Sequence, residues 1–411
     1  MKILHISAQK PDSTGSGIYL SGLIKGMMQF SSEQALIIGI DLCDSIEKIY
    51  EKFDNRIDIY PMIYNKGVLD FDVPGMSDNM PYNSTKYSDI TETQAKHIKE
   101  EFEKILENAI DDFKPDIILC HHLYFVTSIV RNKYPNKKVV SICHGTCIRQ
   151  ILSNNFQKQF ILDNIKKLDM VFALHKEQAN QIEKVYCVDS KKIVVLGSGF
   201  DNTIFYNKGY KKEGTIKLTY VGKISYSKGL IQLINALDNE KREFKNQIEL
   251  MIVGDGSNKE EVNYIKKLAL QSEVKIIFTG RVNQNELSQI LNNSDIFVLP
   301  SFYEGLPLVI LEALSCGNYV ITTDIPGIKE WIGDEINSSG LIQYVKLPRM
   351  KSVSTPYDED INEFEQNLRK AIFEAVKYRC EYSNRGKYID ISQLSWSNLS
   401  KKLYENLCSL N

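Results

Sequence analysis

The chain has 411 residues, 43% hydrophobic and 25% charged, with a formal net charge of −2 at pH 7. That length suits two or three domains, and the near-neutral balance argues against a protein built around nucleic acid or anionic lipid. Eight cysteines occur with no Cys-x-x-Cys pair, which reads as reduced thiols in a cytoplasmic chain.

Met1 to Ser7 turns polar too early for a signal peptide, and no apolar run approaches the roughly 18 residues of a membrane span. Ile3 to Ser7 is instead a first strand, followed by a polar loop, Ala8 to Gly17, and a helix, Ile18 to Met28. The glycines Gly15 and Gly17 would let backbone amides approach an anion or a sugar. The third glycine of a dinucleotide motif is missing, so a loop without a ligand is an equal reading. Ala35 to Ile40 and Ile57 to Tyr60 are further strands. From Pro61 to Asp89 the chain is irregular, and this stretch, with Asp78 near its middle, is either an acceptor-side lid or a passive insertion. Thr91 to Phe113 is an amphipathic helix.

Asp116 to Cys120 is a strand that runs into His121 and His122. Neighbours on a strand point to opposite faces, so a structural or substrate-contacting role is favoured over zinc. Lys138 to Ile142 leads into Cys143-His144-Gly145-Thr146, at the strand end where open α/β sheets hold ligands. A lone histidine there is equally a buried ring bonded to backbone. Arg149 follows, suited to an anionic acceptor or to a pair on its own helix. Met170 to Leu174 is a strand, Lys192 to Leu196 leads to Gly197, and polar Lys208 to Gly214 marks a boundary. The division read from this pattern is 1–205, 206–385 and a terminal helical segment, 386–411.

The second half opens with the strand Ile216 to Val221, a glycine turn, and two cations five residues apart, Lys223 and Lys228. Lysines are surface residues by default, so this spacing alone is weak. Glu249 to Val253 and Ile276 to Val282 follow, the latter including Arg281 and Val282. Ile296 to Leu299 is a buried strand, then Glu304-Gly305-Leu306-Pro307 forms a turn before a helix, Leu308 to Ser315, with Gly317 just past its end. Tyr319 to Thr323 is the next parallel strand. Glu304 and Glu312 are about 10–12 Å apart on this reading. That is too far for a hydrolytic carboxylate pair, which sits roughly 5–9.5 Å apart. It suits two ends of one long ligand with anion-binding amides between them. The plainer alternative makes Glu304 a helix cap and Glu312 a solvated side chain.

The run Ser301 to Gly317, with Thr323 to Ile332 after it, closely resembles the donor-binding segment of retaining GT-B glycosyltransferases of family four, the group 1 type. The resemblance is nearly continuous from Val221 to Ile332 and patchy before it. It implies an α/β fold of two Rossmann-like, doubly wound domains facing a cleft, with the last helix returning to the N-terminal domain. It also implies transfer of a sugar from a nucleoside-diphosphate sugar, foremost a UDP-sugar, with retention at the anomeric carbon. In that family Lys223 and Lys228 match the diphosphate clamp, although the first cation is commonly Arg; lysine supplies a point charge without a fork. The segment with Arg281 and Val282 matches the nucleobase reader, Glu304 the group that orients the sugar, and Glu312 the ribose ligand. The Gly305, Leu306 and Pro307 turn matches the phosphate cradle, Gly17 the glycine loop between donor and acceptor, and His144 the histidine near the transferred sugar. His144, Glu304 and Lys228 are the catalytic candidates. Asp78, His122 and Arg149 are the acceptor candidates. Neither a metal nor another cofactor is expected, and the acceptor class is open. The rivals are an epimerase on the same fold, which product analysis would separate, and a nucleotide-sugar-binding subunit without catalysis.

Overall fold

The computed structural model describes residues 1–11, 14–30, 33–77, 80–209, 214–238, 247–381 and 389–410. The chain forms two compact units, Met1–Gly199 with Trp396–Asn411, and Phe200–Ser395. The division falls a few residues before the boundary drawn after 205, because Phe200 and Phe205 are buried in the hydrophobic core of the second unit. The chain leaves that unit beside where it enters, with Phe200 N–H donating to Leu394 O at 3.2 Å.

The first unit is built on seven strands: β1 Lys2–Ser7, β2 Glu33–Asp41, β3 Asp58–Tyr64, β4 Ile117–His121, β5 Lys138–Ile142, β6 Met170–Ala173 and β7 Ile193–Val195. Their order is β3-β2-β1-β4-β5-β6-β7 and every pairing is parallel. Ile3, Leu4 and Ile6 of β1 are all buried, as central strands covered on both faces require. The third strand runs through Pro61 to Tyr64, beyond where the sequence turned irregular. Proline is tolerated there because β3 is an edge strand.

Leu69, Phe71, Val73, Met76 and Tyr87 from the irregular stretch are buried. Pro74–Gly75 pairs with Thr85–Lys86 as a short parallel ribbon, and Gln150 Nε2 donates to Met76 O at 3.0 Å. Outside its tip the stretch is therefore packed down as part of the core, not hung over it as a lid. Asp78 lies outside the described residues.

The first helix, α1 (Gly15–Met27), starts earlier than the pattern suggested. The long helix α2 (Glu92–Phe113) carries a capping box from Thr91 and Gln94. After β5 comes α3 (Gly145–Ser153).

The second unit has six strands: β8 Ile216–Val221, β9 Ile248–Val253, β10 Lys275–Gly280, β11 Ile296–Leu299, β12 Tyr319–Thr323 and β13 Ile342–Val345. They run parallel in the order β10-β9-β8-β11-β12-β13. The last of these has only four residues and forms an edge of the sheet. Helices α4 (Leu230–Asp238) and α5 (Val309–Ser315) follow β8 and β11. Both sheets thus reverse their winding once, between β1 and β4 and between β8 and β11. Such a reversal opens a crevice at the carboxyl ends of the two strands.

The terminal helix α6 (Trp396–Cys408) belongs to the first unit and packs on α1. Gly22 and Gly26 lie one helical turn apart and form the seat. A Cβ on Gly22 would come 2.8 Å from Trp396 Cγ, and one on Gly26 would come 2.8 Å from Trp396 O. Among the described residues no helix is long and apolar enough to cross a membrane.

Candidate active site

At the reversal of the second unit the loops after β8 and β11 are bonded together. Gly229 has φ of 67°, and a Cβ there would come 2.9 Å from the Pro300 carbonyl carbon and nearer still to its oxygen. Only glycine permits that approach. Phe302 N–H donates to Ser227 O at 3.0 Å. This contact brings Lys228 to the turn after β11. Its Nζ lies 2.6 Å from Glu304 Oε1 and 3.0 Å from Tyr303 O. Ser301 Oγ donates to the same Glu304 oxygen at 2.8 Å. Lys228 and Glu304 keep side-chain exposures of 16% and 17%, so the pair is positioned yet reachable. An ammonium has three protons, and these two bonds leave one for an incoming anion.

The sequence placed the helix start at Leu308. The structure makes Leu308 the cap and Val309 the first helical residue. Pro307 has no N–H, so it cannot join the phosphate cradle as a donor; Gly305 and Leu306 carry the amides there. Gly317 has φ of 81° past the helix end, as the sequence indicated.

Glu312 is 8% exposed, which removes the solvated alternative. Burial, with a smaller contribution from Asp201, raises its carboxyl from the ordinary 4.5 to about 8. No cation pairs with it among the described residues. Lys223 is exposed, and its carbonyl accepts Tyr220 Oη–H at 2.7 Å. Arg281 is exposed and Val282 half-buried, just past β10.

The first unit's reversal gathers imidazoles. His5, His121, His122 and His144 are all buried. His144 lies 4.6 Å from His122 and 5.8 Å from His121, ring centre to ring centre, and His121 lies 5.9 Å from His5. The alternation argument for His121 and His122 fails because His122 has left the strand, with φ of 80°. Both rings therefore approach His144. Tyr19 of α1 meets His144 edge-on at 5.2 Å. Burial lowers His5 to about 4 and pushes His121 and His144 well below the ordinary histidine range. Among the described residues no group of three or more His, Cys, Asp or Glu side chains is arranged to hold a metal ion.

Gly17 is buried in the first turn of α1, and its N–H donates to Thr14 Oγ1 at 3.1 Å. That amide is therefore already engaged. Arg149 is half-buried on α3, beside the Gln150 that holds Met76.

Residues 201–347 match the family described as Glycosyl transferases group 1, and residues 100–203 match Glycosyltransferase Family 4. The chain carries a group 1 glycosyltransferase domain. An uncharacterised glycosyltransferase of Methanocaldococcus jannaschii is 24% identical over 426 residues, covering 98% of this chain and 96% of that one. The alpha-maltose-1-phosphate synthase of Mycobacterium tuberculosis is 24% identical over 263 residues, 58% of this chain; the match spans only 63% of that enzyme's length. The Anabaena protein HepE, solved with UDP and glucose, superposes with a TM-score of 0.68 over 100% of both chains at 15% identity. Together with the two parallel sheets, this likeness makes the fold α/β and GT-B.

The group 1 domain holds Lys223, Lys228, Arg281, Val282, Glu304 and Glu312 in one unit. Gly229 and Ser301, which lock the Lys228–Glu304 pair, were not singled out from sequence. The signal for Gly229 was present as a glycine between a short polar turn and an apolar helix. Ser301 gives no sequence signal, since its role depends on where Glu304 points.

Proposed function

We propose that this protein transfers a sugar from a nucleoside-diphosphate sugar, with a UDP-sugar first in line, to an acceptor, with retention of configuration and without a metal. The observation that carries this reading is the Lys228–Glu304 pair at the β8/β11 reversal, inside the group 1 domain. The HepE complex with UDP and glucose favours uridine as the base. Departure of the nucleoside diphosphate requires its charge to be balanced. Lys228, Lys223 and the Gly305 and Leu306 amides are the donors for this, acting where charge develops. As the diphosphate engages Lys228, Glu304 is freed to orient the sugar and to oppose positive charge at its anomeric carbon. Glu312 holds the ribose hydroxyls. With its carboxyl near pH 8 it is protonated at neutral pH and can donate as well as accept. His144, kept neutral by burial, orients the sugar through a ring nitrogen. A leaving phosphate oxygen takes the acceptor proton, so no protein nucleophile is required.

The test is a panel of nucleotide sugars screened by thermal shift, followed by product analysis with and without chelator. A UDP-sugar should raise Tm and be turned over with the anomeric configuration kept. Conversion of the donor without any acceptor would instead identify an epimerase. Loss of activity in chelator, restored by Mg²⁺ or Mn²⁺, would overturn metal independence.

A further inference from the structure

One buried sulfur organises the loops after β4 and β5. Cys147 is the third residue of α3, where a capping box places an acceptor for the N-cap amide. Its Sγ accepts His144 N–H at 3.2 Å and Leu123 N–H at 3.3 Å, and lies 3.4 Å from His122 Nδ1. Tyr186 Oη–H, shared between Leu123 O and Cys147 O at 3.0 Å each, closes the other side. The His122 backbone is held in a region that non-glycine residues seldom occupy, with its carbonyl accepting Thr127 Oγ1–H at 2.6 Å. A neutral thiol is a weak acceptor. Several donors converging on one sulfur at a helix N-terminus favour the thiolate. Burial opposes ionisation of Cys147, but the Cys143 thiol and the His122 ring outweigh it and draw Cys147 well below the ordinary thiol range. Burial and the neighbouring Cys147 push Cys143 well up.

We propose that Cys147 is a positioning residue for the sugar site: an anionic sulfur that gathers the Leu123 and His144 amides and the His122 ring, and so sets the orientation of His144. This rests on the role proposed above for His144. Among the described residues that ring keeps Nε2 buried and without a hydrogen-bond partner, so its value depends on where the ring is held. Among the described residues, the titratable groups that face Cys147 are His122, His144, Cys143, Tyr124 and Tyr186, and none of these is a carboxylate.

The test uses the full chain and Cys147→Ala, Cys147→Ser and Cys147→Asp. The wild type should show thiolate ultraviolet absorbance at pH 7 that is missing in Cys147→Ser. The Leu123 and His144 amides should resist hydrogen exchange in the wild type and in Cys147→Asp, but not in Cys147→Ala. With an active donor, Cys147→Ala should lower kcat about ten- to hundredfold, while Cys147→Asp recovers most of it and diphosphate affinity stays unchanged in both. A thiolate band that appears only in the ordinary thiol range would overturn the proposal. So would Cys147→Asp that is no better than Cys147→Ala, with amide protection equal in the two. If the wild type turns over no nucleotide sugar, the transferase reading fails, while the absorbance and exchange results still decide the role of Cys147.

Discussion

At the β1/β4 reversal the side chains that gather are imidazoles and thiols; at the β8/β11 reversal they are an ammonium and a carboxylate. The backbone topology is the same in both places. The difference lies in hydration. His5, His121 and His144 are dry and neutral, and charging any of them inside the first unit is costly. Lys228 and Glu304 stay partly exposed, where a pair of charges is cheap to hold and easy to exchange for a ligand's charge. One topology therefore offers a preformed set of neutral imidazoles in one unit and a replaceable ion pair in the other. The second suits an anionic diphosphate, and the first suits the hydroxyls of a sugar.

The sharpest way to break the comparison is at Gly229, which holds the second reversal together. Gly229→Val should destabilise that unit by about 3–4 kcal/mol, combining overpacking with left-handed strain. Gly15→Ala, where none of the described residues lies within 4 Å of the added carbon, should change stability by no more than about 0.5 kcal/mol. Equal urea midpoints for the two variants would show that the close approach to Pro300 is not needed.

Next in size is the split between the two glutamates. Glu304→Gln should lower kcat about ten- to thousandfold, the scale of roughly 2–4 kcal/mol for groups that stabilise developing charge, with diphosphate affinity nearly intact. Glu312→Gln exchanges one neutral group for another at neutral pH, so it should raise the donor KM and weaken free diphosphate alike by only about 0.5–1.5 kcal/mol, the scale of one neutral hydrogen bond. The same loss of kcat and affinity in both variants would refute separate roles.

The units should also respond oppositely to pH. The folded carboxyl of Glu312 binds a proton that the unfolded one has released between pH 4.5 and about 8. Its contribution to stability therefore falls as pH rises through that window, by up to about 1.4 kcal/mol per unit, and Glu312→Gln should flatten the slope. His5 behaves in the reverse sense. Its folded form binds fewer protons between the ordinary 6.5 and about 4, so its contribution is lost as pH falls through that window, and His121 and His144 act in the same direction. Denaturant midpoints measured from pH 4 to 9 check both signs.

The smallest effect concerns Arg149. Arg149→Ala should raise the acceptor KM by about tenfold, roughly the value of one charged hydrogen bond, and leave donor affinity alone. A collapse of donor affinity would move Arg149 to the other half of the reaction.

The strand–turn–helix order and the two-unit plan were legible in the sequence, because each rests on a local pattern. Ile296 to Leu299 is an apolar run closed by proline, the turn after it is short, and Gly317 stands where the helix must stop. Short pieces with weak patterns were less visible, such as β13 at Ile342–Val345 and the continuation of β3 through Pro61. These become strands because a neighbouring strand supplies hydrogen bonds. What only the tertiary structure decided is which groups meet. Lys228 and Glu304 are 76 residues apart in sequence and 2.6 Å apart in space. Cys147 reaches the amide of Leu123 across two loops. Gly17 looked free for a ligand until Thr14 was seen to take its N–H. Burial of Glu312 and of the four histidines belongs to the same class. Secondary structure follows from forces between near neighbours, whereas desolvation and pairing are set by whatever the fold brings alongside.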